Sequence, residues 1–117
     1  MTVEADIFQA LQGLVDGRVY PDQAPEQPQT PFIMYSQVGG RPINFLSGVP
    51  GRRNGRFQVN VWAGTRDEAS GLIRQVEDVL RLDSRLLAVT LSGALSDYAE
   101  PTGWHGSQQD FSIWFTD

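Results

Sequence analysis

The sequence predicts a single α+β domain, residues 1–117, in the order α-β-β-α-β-β: a mainly antiparallel sheet of four strands with two helices packed on one face. Three observations predict it. Two stretches carry apolar residues at helical spacing, each behind a threonine able to cap it. Runs of alternating apolar and polar residues lie between and after them, the pattern of a half-buried strand. The chain has 117 residues, 40% hydrophobic and 20% charged, with no internal repeat, which is one globular domain.

The first helix is expected over residues 3–16. Ile7, Leu11, Leu14 and Val15 share a face with Phe8 beside them. Thr2 is the cap, Glu4 and Asp6 suit the positive end of the helix dipole, and Gly17 stops it. Arg18-Val19-Tyr20-Pro21 leads into a connector from Asp22 to Pro31. Its prolines exclude helix and central strand, so it is expected to run extended over the surface. Residues 32–38 read as a strand ended by Gly39-Gly40, and residues 56–63 as its hairpin partner. In the second strand Phe57, Val59 and Val61 share one face; Arg56, Gln58, Asn60 and Trp62 share the other.

Thr65 and Glu68 fit a capping box for a helix running to about Leu82, with Leu72, Ile73, Val76, Val79 and Leu80 as its apolar stripe. Glu77 and Arg81 form an i,i+4 pair on its wet side. Residues 86–91 read as a strand, Gly93 as a break, and residues 95–100 as an extension of the pairing. Pro101-Thr102-Gly103 is a turn, with His105 at the hairpin tip. The last strand spans residues 107–116, with Phe111, Ile113 and Phe115 on one face and Trp114 on the other.

Composition removes many activities. No cysteine means no disulfide, cysteine nucleophile or thiolate metal site. One histidine excludes a multi-histidine metal cage. With 14 acidic against 9 basic residues and a net charge of −5, the chain is a poor general binder of duplex DNA. No stretch is apolar enough for a transmembrane helix, and the acidic start lacks the positive region of a signal peptide, so a cytoplasmic protein is expected. Gly48 to Gly55 is glycine-rich but lacks the lysine of a phosphate-binding loop and leads into a strand. His105 has Asp97, Glu100, Asp110, Ser107 and Ser112 nearby in sequence, but no strained Gly-x-Ser-x-Gly elbow is present. No catalytic, cofactor or metal residue is expected.

What remains is contact chemistry. All nine basic residues are arginine, which a GC-rich coding sequence or a preference for arginine at interfaces explains. The long connection from Arg41 to Gly55 gathers Arg41, Arg52 and Arg53 around Phe45 and Leu46, with Arg56 just beyond. Hairpin connections of this length are commonly functional or disordered; this one is expected to be mobile alone and to order against an acidic neighbour. Trp62 and Trp114 fall on the strand face opposite the core rows, where a monomer gains little from them and an interface gains much.

The chain resembles the phage tail-completion family, small proteins also described as tail-to-head joining proteins. The resemblance rests on Ile7-Phe8-Gln9-Ala10-Leu11, Arg18-Val19-Tyr20-Pro21, Ala24-Pro25, Pro31-Phe32-Ile33 with Tyr35, Val59-Asn60-Val61-Trp62-Ala63 leading into the helix at Ala69, and Thr102-Gly103-Trp104 followed by Asp110-Phe111-Ser112-Ile113-Trp114. It implies a non-enzymatic structural protein that forms a ring with itself, typically of six subunits, where the tail tube meets the head-completion or connector proteins. DNA passes through such a ring without specific binding. Assembly in the host cytoplasm and residence in the virion follow from the same resemblance. A small bacterial adaptor or regulatory binding domain of prophage origin is the other reading, and gene neighbours would separate the two.

Overall fold

The computed structural model describes residues 2–40, 53–100 and 102–115. Helix α1 spans Val3–Leu11, shorter than expected, and continues as a 3-10 turn over Gln12–Leu14. The Thr2 hydroxyl accepts from the Ala5 N–H at 3.2 Å and caps it. Asp16 and Gly17 both take positive φ, and the Gly17 N–H closes on the Gln12 carbonyl at 2.9 Å, ending the element where glycine is favoured.

Six strands follow in the described residues, not four. They are β1 (Val19–Pro21), β2 (Phe32–Gly39), β3 (Arg53–Ala63), β4 (Val89–Thr90), β5 (Leu95–Ala99) and β6 (Trp104–Phe115), with helix α2 (Arg66–Leu82) between β3 and β4. The sheet order is β1-β2-β3-β6-β4, with β5 also on β6. The sheet is mixed because β1 runs parallel to β2, with Val19 opposite Ile33; every other pairing is antiparallel. The proline-rich connector is thus a crossover between parallel neighbours, which a two-residue hairpin cannot supply.

Three strands depart most from expectation. β3 begins at Arg53, because its pairing with β6 extends to Phe115. The strand expected over residues 86–91 shrinks to Val89–Thr90, because Leu87 takes a positive φ of 47° and breaks the extended backbone after the buried Leu86. β6 begins at Trp104, so His105 lies within a strand between Ala63 and Tyr98 rather than at a tip.

The two helices bury their stripes on one face of the sheet. Ile7 and Leu11 from α1 and Leu72, Ile73, Val76 and Leu80 from α2 join Ile33, Tyr35, Phe57, Val59, Val61, Phe111, Ile113 and Phe115 in one core. The expected row assignment therefore holds, with Leu14 at the margin of the core. The α2 cap forms as the sequence predicts: Thr65 Oγ1 accepts from the Glu68 N–H at 3.1 Å. The Glu68 carboxylate reaches back to the Gly64 N–H at 3.2 Å, one residue before the cap.

Two polar residues enter this core, each with its partners. Gln109 donates to Glu77 Oε1 at 2.8 Å and to the Ser92 carbonyl at 2.9 Å, and Ser107 bonds the Arg66 guanidinium. Arg66 also donates to the Gly106 carbonyl at 2.7 Å. These bonds fix α2 and the β4–β5 excursion to the central strand. Tyr35 donates to the Glu4 carbonyl at 3.3 Å, and burial, then the charges of Glu4 and Asp22, push its phenol pKa up.

Candidate interaction surface

The open face of the sheet carries the even-numbered residues of β2, β3 and β6. Gln58, Asn60, Gln108 and Ser112 give it an uncharged polar character. Its charges on β3 and β6 cancel: Arg56 Nη2 meets Asp110 Oδ2 at 2.7 Å. Arg56 is thus held by its own chain. Arg53 is exposed at the start of β3. Arg41, Phe45, Leu46 and Arg52, and with them most of the loop, lie outside the described residues.

Trp62 and Trp114 both sit on this face, half-buried. Trp62 lies flat against its cross-strand partner Gly106, where a Cβ would meet the indole carbons at 2.7 Å. Trp114 is the register partner of Asn54, whose side chain donates to Ser112 Oγ at 2.7 Å. An aromatic patch that sequence reasoning missed occupies the same end as Trp62. Phe32, only 2% exposed, packs edge-on to Trp104 at 5.4 Å and beside Tyr20 at 6.2 Å. The alternation of β2 places Phe32 on the open face; its company there comes from residues distant in sequence.

His105 lines a shallow recess with Arg66, Ser96, Asp97 and Tyr98. Its ring contacts Tyr98 at 5.1 Å. The Asp97 carboxylate accepts from the Tyr98 N–H at 2.8 Å. Among the described residues no hydrogen bond joins His105 to a carboxylate or to a serine. No cluster of three or more metal-ligating side chains occurs among them either. No helix in the described residues is long and apolar enough to cross a membrane.

The margins of the sheet differ from end to end. At one end both are protected. β1 covers half of β2, and its own outer side is spent: Val19 N–H bonds the Gly17 carbonyl at 2.9 Å, Pro21 has no N–H, and the Pro21 carbonyl accepts from Gln23 at 2.6 Å. β5, level with it, carries the Asp97 charge over its own outward N–H. At the other end, among the described residues, neither margin carries a charge. Ile33 N–H and Tyr35 C=O face β1, through Arg18 and Asp22, so by alternation Gln37 presents its backbone outward with no strand beside it in the described residues. The Gln37 side chain turns over β3 toward Gly55 and donates to the Gly39 carbonyl at 3.4 Å. Leu91 N–H faces β6, bonding the Asp110 carbonyl at 2.9 Å, so Thr90 presents outward in the same way.

Val38 is 48% exposed on the first of these margins, and Val89 and Leu91 are 57% and 46% exposed on the second. The sequence held a signal for them. No charge occurs between Glu26 and Arg41, or between Arg85 and Asp97, in a chain that is 20% charged.

The family model for tail completion protein gp17 matches residues 7–116. Among solved structures, a chain of the virion of a native gene transfer agent particle superposes with a TM-score of 0.64 at 19% identity, covering 98% of this chain and 95% of that one. The structure of the bacteriophage SPP1 gp17 protein superposes more loosely, with a TM-score of 0.42 at 18% identity over 97% of this chain and 82% of that one. No curated protein sequence matches. The likeness to the gene transfer agent chain is one of fold.

Proposed function

This chain belongs to the tail completion protein gp17 family, and from that premise we propose that it is a non-enzymatic virion subunit forming a ring, of six copies, where the tail meets the head. The observation that carries the reading is the extent of the match. It runs from α1 to beyond β6 and so takes in the whole sheet and α2. The ring receives the tail tube on one side and a head-completion or connector protein on the other. DNA crosses it without sequence-specific contact, in keeping with the net charge of −5. Subunits gather in the host cytoplasm and remain in the virion.

The contact residues of this reading are Arg41, Phe45, Leu46, Arg52 and Arg53, supported by Arg56, Trp62 and Trp114. The arginines pair with carboxylates across an interface; the ion pair to Asp110 holds Arg56 in place, and Trp62 rests on Gly106. The test uses particles of a phage or prophage carrying this gene with the gene deleted. Heads and tails should accumulate unjoined, and adding the purified chain should restore joining. A chain carrying both Arg52→Glu and Arg53→Glu should melt as the natural chain does and fail to restore joining, because like charges across an interface repel. Normal particles from the deletion strain would end this reading.

A further inference from the structure

An unpaired strand margin recruits other strands, and proteins protect such margins with charge, proline or coverage. Among the described residues, one end of the sheet is protected on both sides and the other carries no charge on either side. We infer that copies of this chain meet head to tail through the two unprotected margins, Val38 of one copy against Val89 and Leu91 of the next. The inference rests on the ring proposed above and specifies its joint.

The geometry suits a second copy. A ring needs two different patches on opposite sides of one subunit, and these margins lie on opposite sides of one sheet. They are also at the same height. Thr90 pairs with Phe111, Phe111 with Phe57, and Phe57 with Gln37, so one rung of the sheet runs from margin to margin. A head-to-tail contact closes into a ring when its rotation divides a full turn and there is no rise, and margins that share one rung let copies meet without rise. Val38 on one margin and Val89 and Leu91 on the other are exposed apolar side chains, flanked among the described residues by uncharged ones, so bringing them together desolvates no ion. β1 stands one strand outside β2 and holds the protected ends of neighbouring copies apart. The joint is therefore a side-chain contact at the open ends, and the ladder does not run on from copy to copy.

The chain has no cysteine, so introduced thiols report alone. Val38→Cys and Val89→Cys are made singly and together, and the purified chains are treated with a short bis-maleimide across a range of concentrations. The double variant should give a covalent ladder ending at the ring. Either single variant should stay uncoupled, and their mixture should stop at dimers. Coupling of a single variant with itself as efficiently as in the mixture would mean a two-fold contact and overturn the joint. Rings seen by native mass spectrometry without a ladder would overturn the joint and leave the ring standing. A natural chain that stays monomeric at every concentration, with no coupling in the double variant, would overturn both. As an independent measure, Val38→Asp should raise the concentration for assembly at least about tenfold with the melting temperature little changed, and adding Val89→Arg should restore it. Wild-type assembly by Val38→Asp would remove the margin from the contact.

Discussion

β3 and β6 build two unlike surfaces from the same backbone. On the covered face Phe57, Val59, Val61, Phe111 and Ile113 are at most 1% exposed and lie under the helices. On the open face the residues between them are Gln58, Asn60, Gln108, Asp110 and Ser112, all half-buried against one another. Because side chains alternate, neighbours one residue apart are selected by different demands. The covered face stabilises the subunit. Away from the buried Phe32 and the Trp62–Gly106 contact, the open face is polar and half-buried.

Mutations can break or sharpen that contrast. The largest effect is expected on the covered face, where Phe111→Ala should cost about 3–5 kcal/mol in denaturant unfolding, since a buried ring leaves a cavity. Gln58→Ala, one residue from Phe57 but on the other face, should stay within about 0.5 kcal/mol. Similar losses for the two would show that the open face is packed as a core. Gly106→Ala is the exception built into the open face: its Cβ would meet the Trp62 ring at 2.7 Å. Calorimetry should show about 1–3 kcal/mol of destabilisation, and pairing it with Trp62→Ala should remove the clash component. Gln109→Ala, a polar residue in the covered face, should cost about 1–3 kcal/mol by removing the partner of the Ser92 carbonyl and of Glu77 Oε1, while Glu77 Oε2 keeps Arg81 at 3.8 Å.

Smaller effects lie at the surface. Arg56→Ala should lose only about 0.2–1 kcal/mol despite its short contact with Asp110, because the guanidinium is 45% exposed, and added salt should shrink the loss further. The smallest is a pH effect. The Arg85 hydrogen bond holds the Asp83 carboxyl below its ordinary value, so its contribution is present above the usual carboxylate range and is lost as pH falls through the lowered folded value. Melting curves of the natural chain and Asp83→Asn should differ slightly near neutral pH and converge in acid. A gap that widens in acid would contradict the sign.

Elements governed by local rules were legible in the sequence. Thr65, Glu68 and the Leu72-to-Leu80 stripe announce α2, and the alternation at Phe57, Val59 and Val61 announces β3 and its faces. β1 was not legible. It is three residues long and ends in a proline, and only its parallel neighbour β2, across the connector, makes it a strand. The glycines around Trp104-His105 read as a turn, whereas Gly106 is demanded by the Trp62 ring in a strand. The rows that became Trp62 and Trp114 were assigned to the open face by alternation alone. The Phe32–Trp104 contact was not, because no periodicity links residues that far apart.

The central pairing of the sheet joins β3 to β6, with Arg53 opposite Phe115 and Ala63 opposite His105. The whole of α2, β4 and β5 lies between the two strands in the chain. Pairing must close that long loop before contact energy repays the lost chain freedom, which slows folding. On the ribosome, α1, the β2–β3 hairpin and α2 emerge first and lack β6, the second of the two strands on which α2 rests. The subunit therefore becomes a subunit only after residue 115 leaves the exit tunnel, and a ribosome stalled upstream releases a chain with an incomplete core.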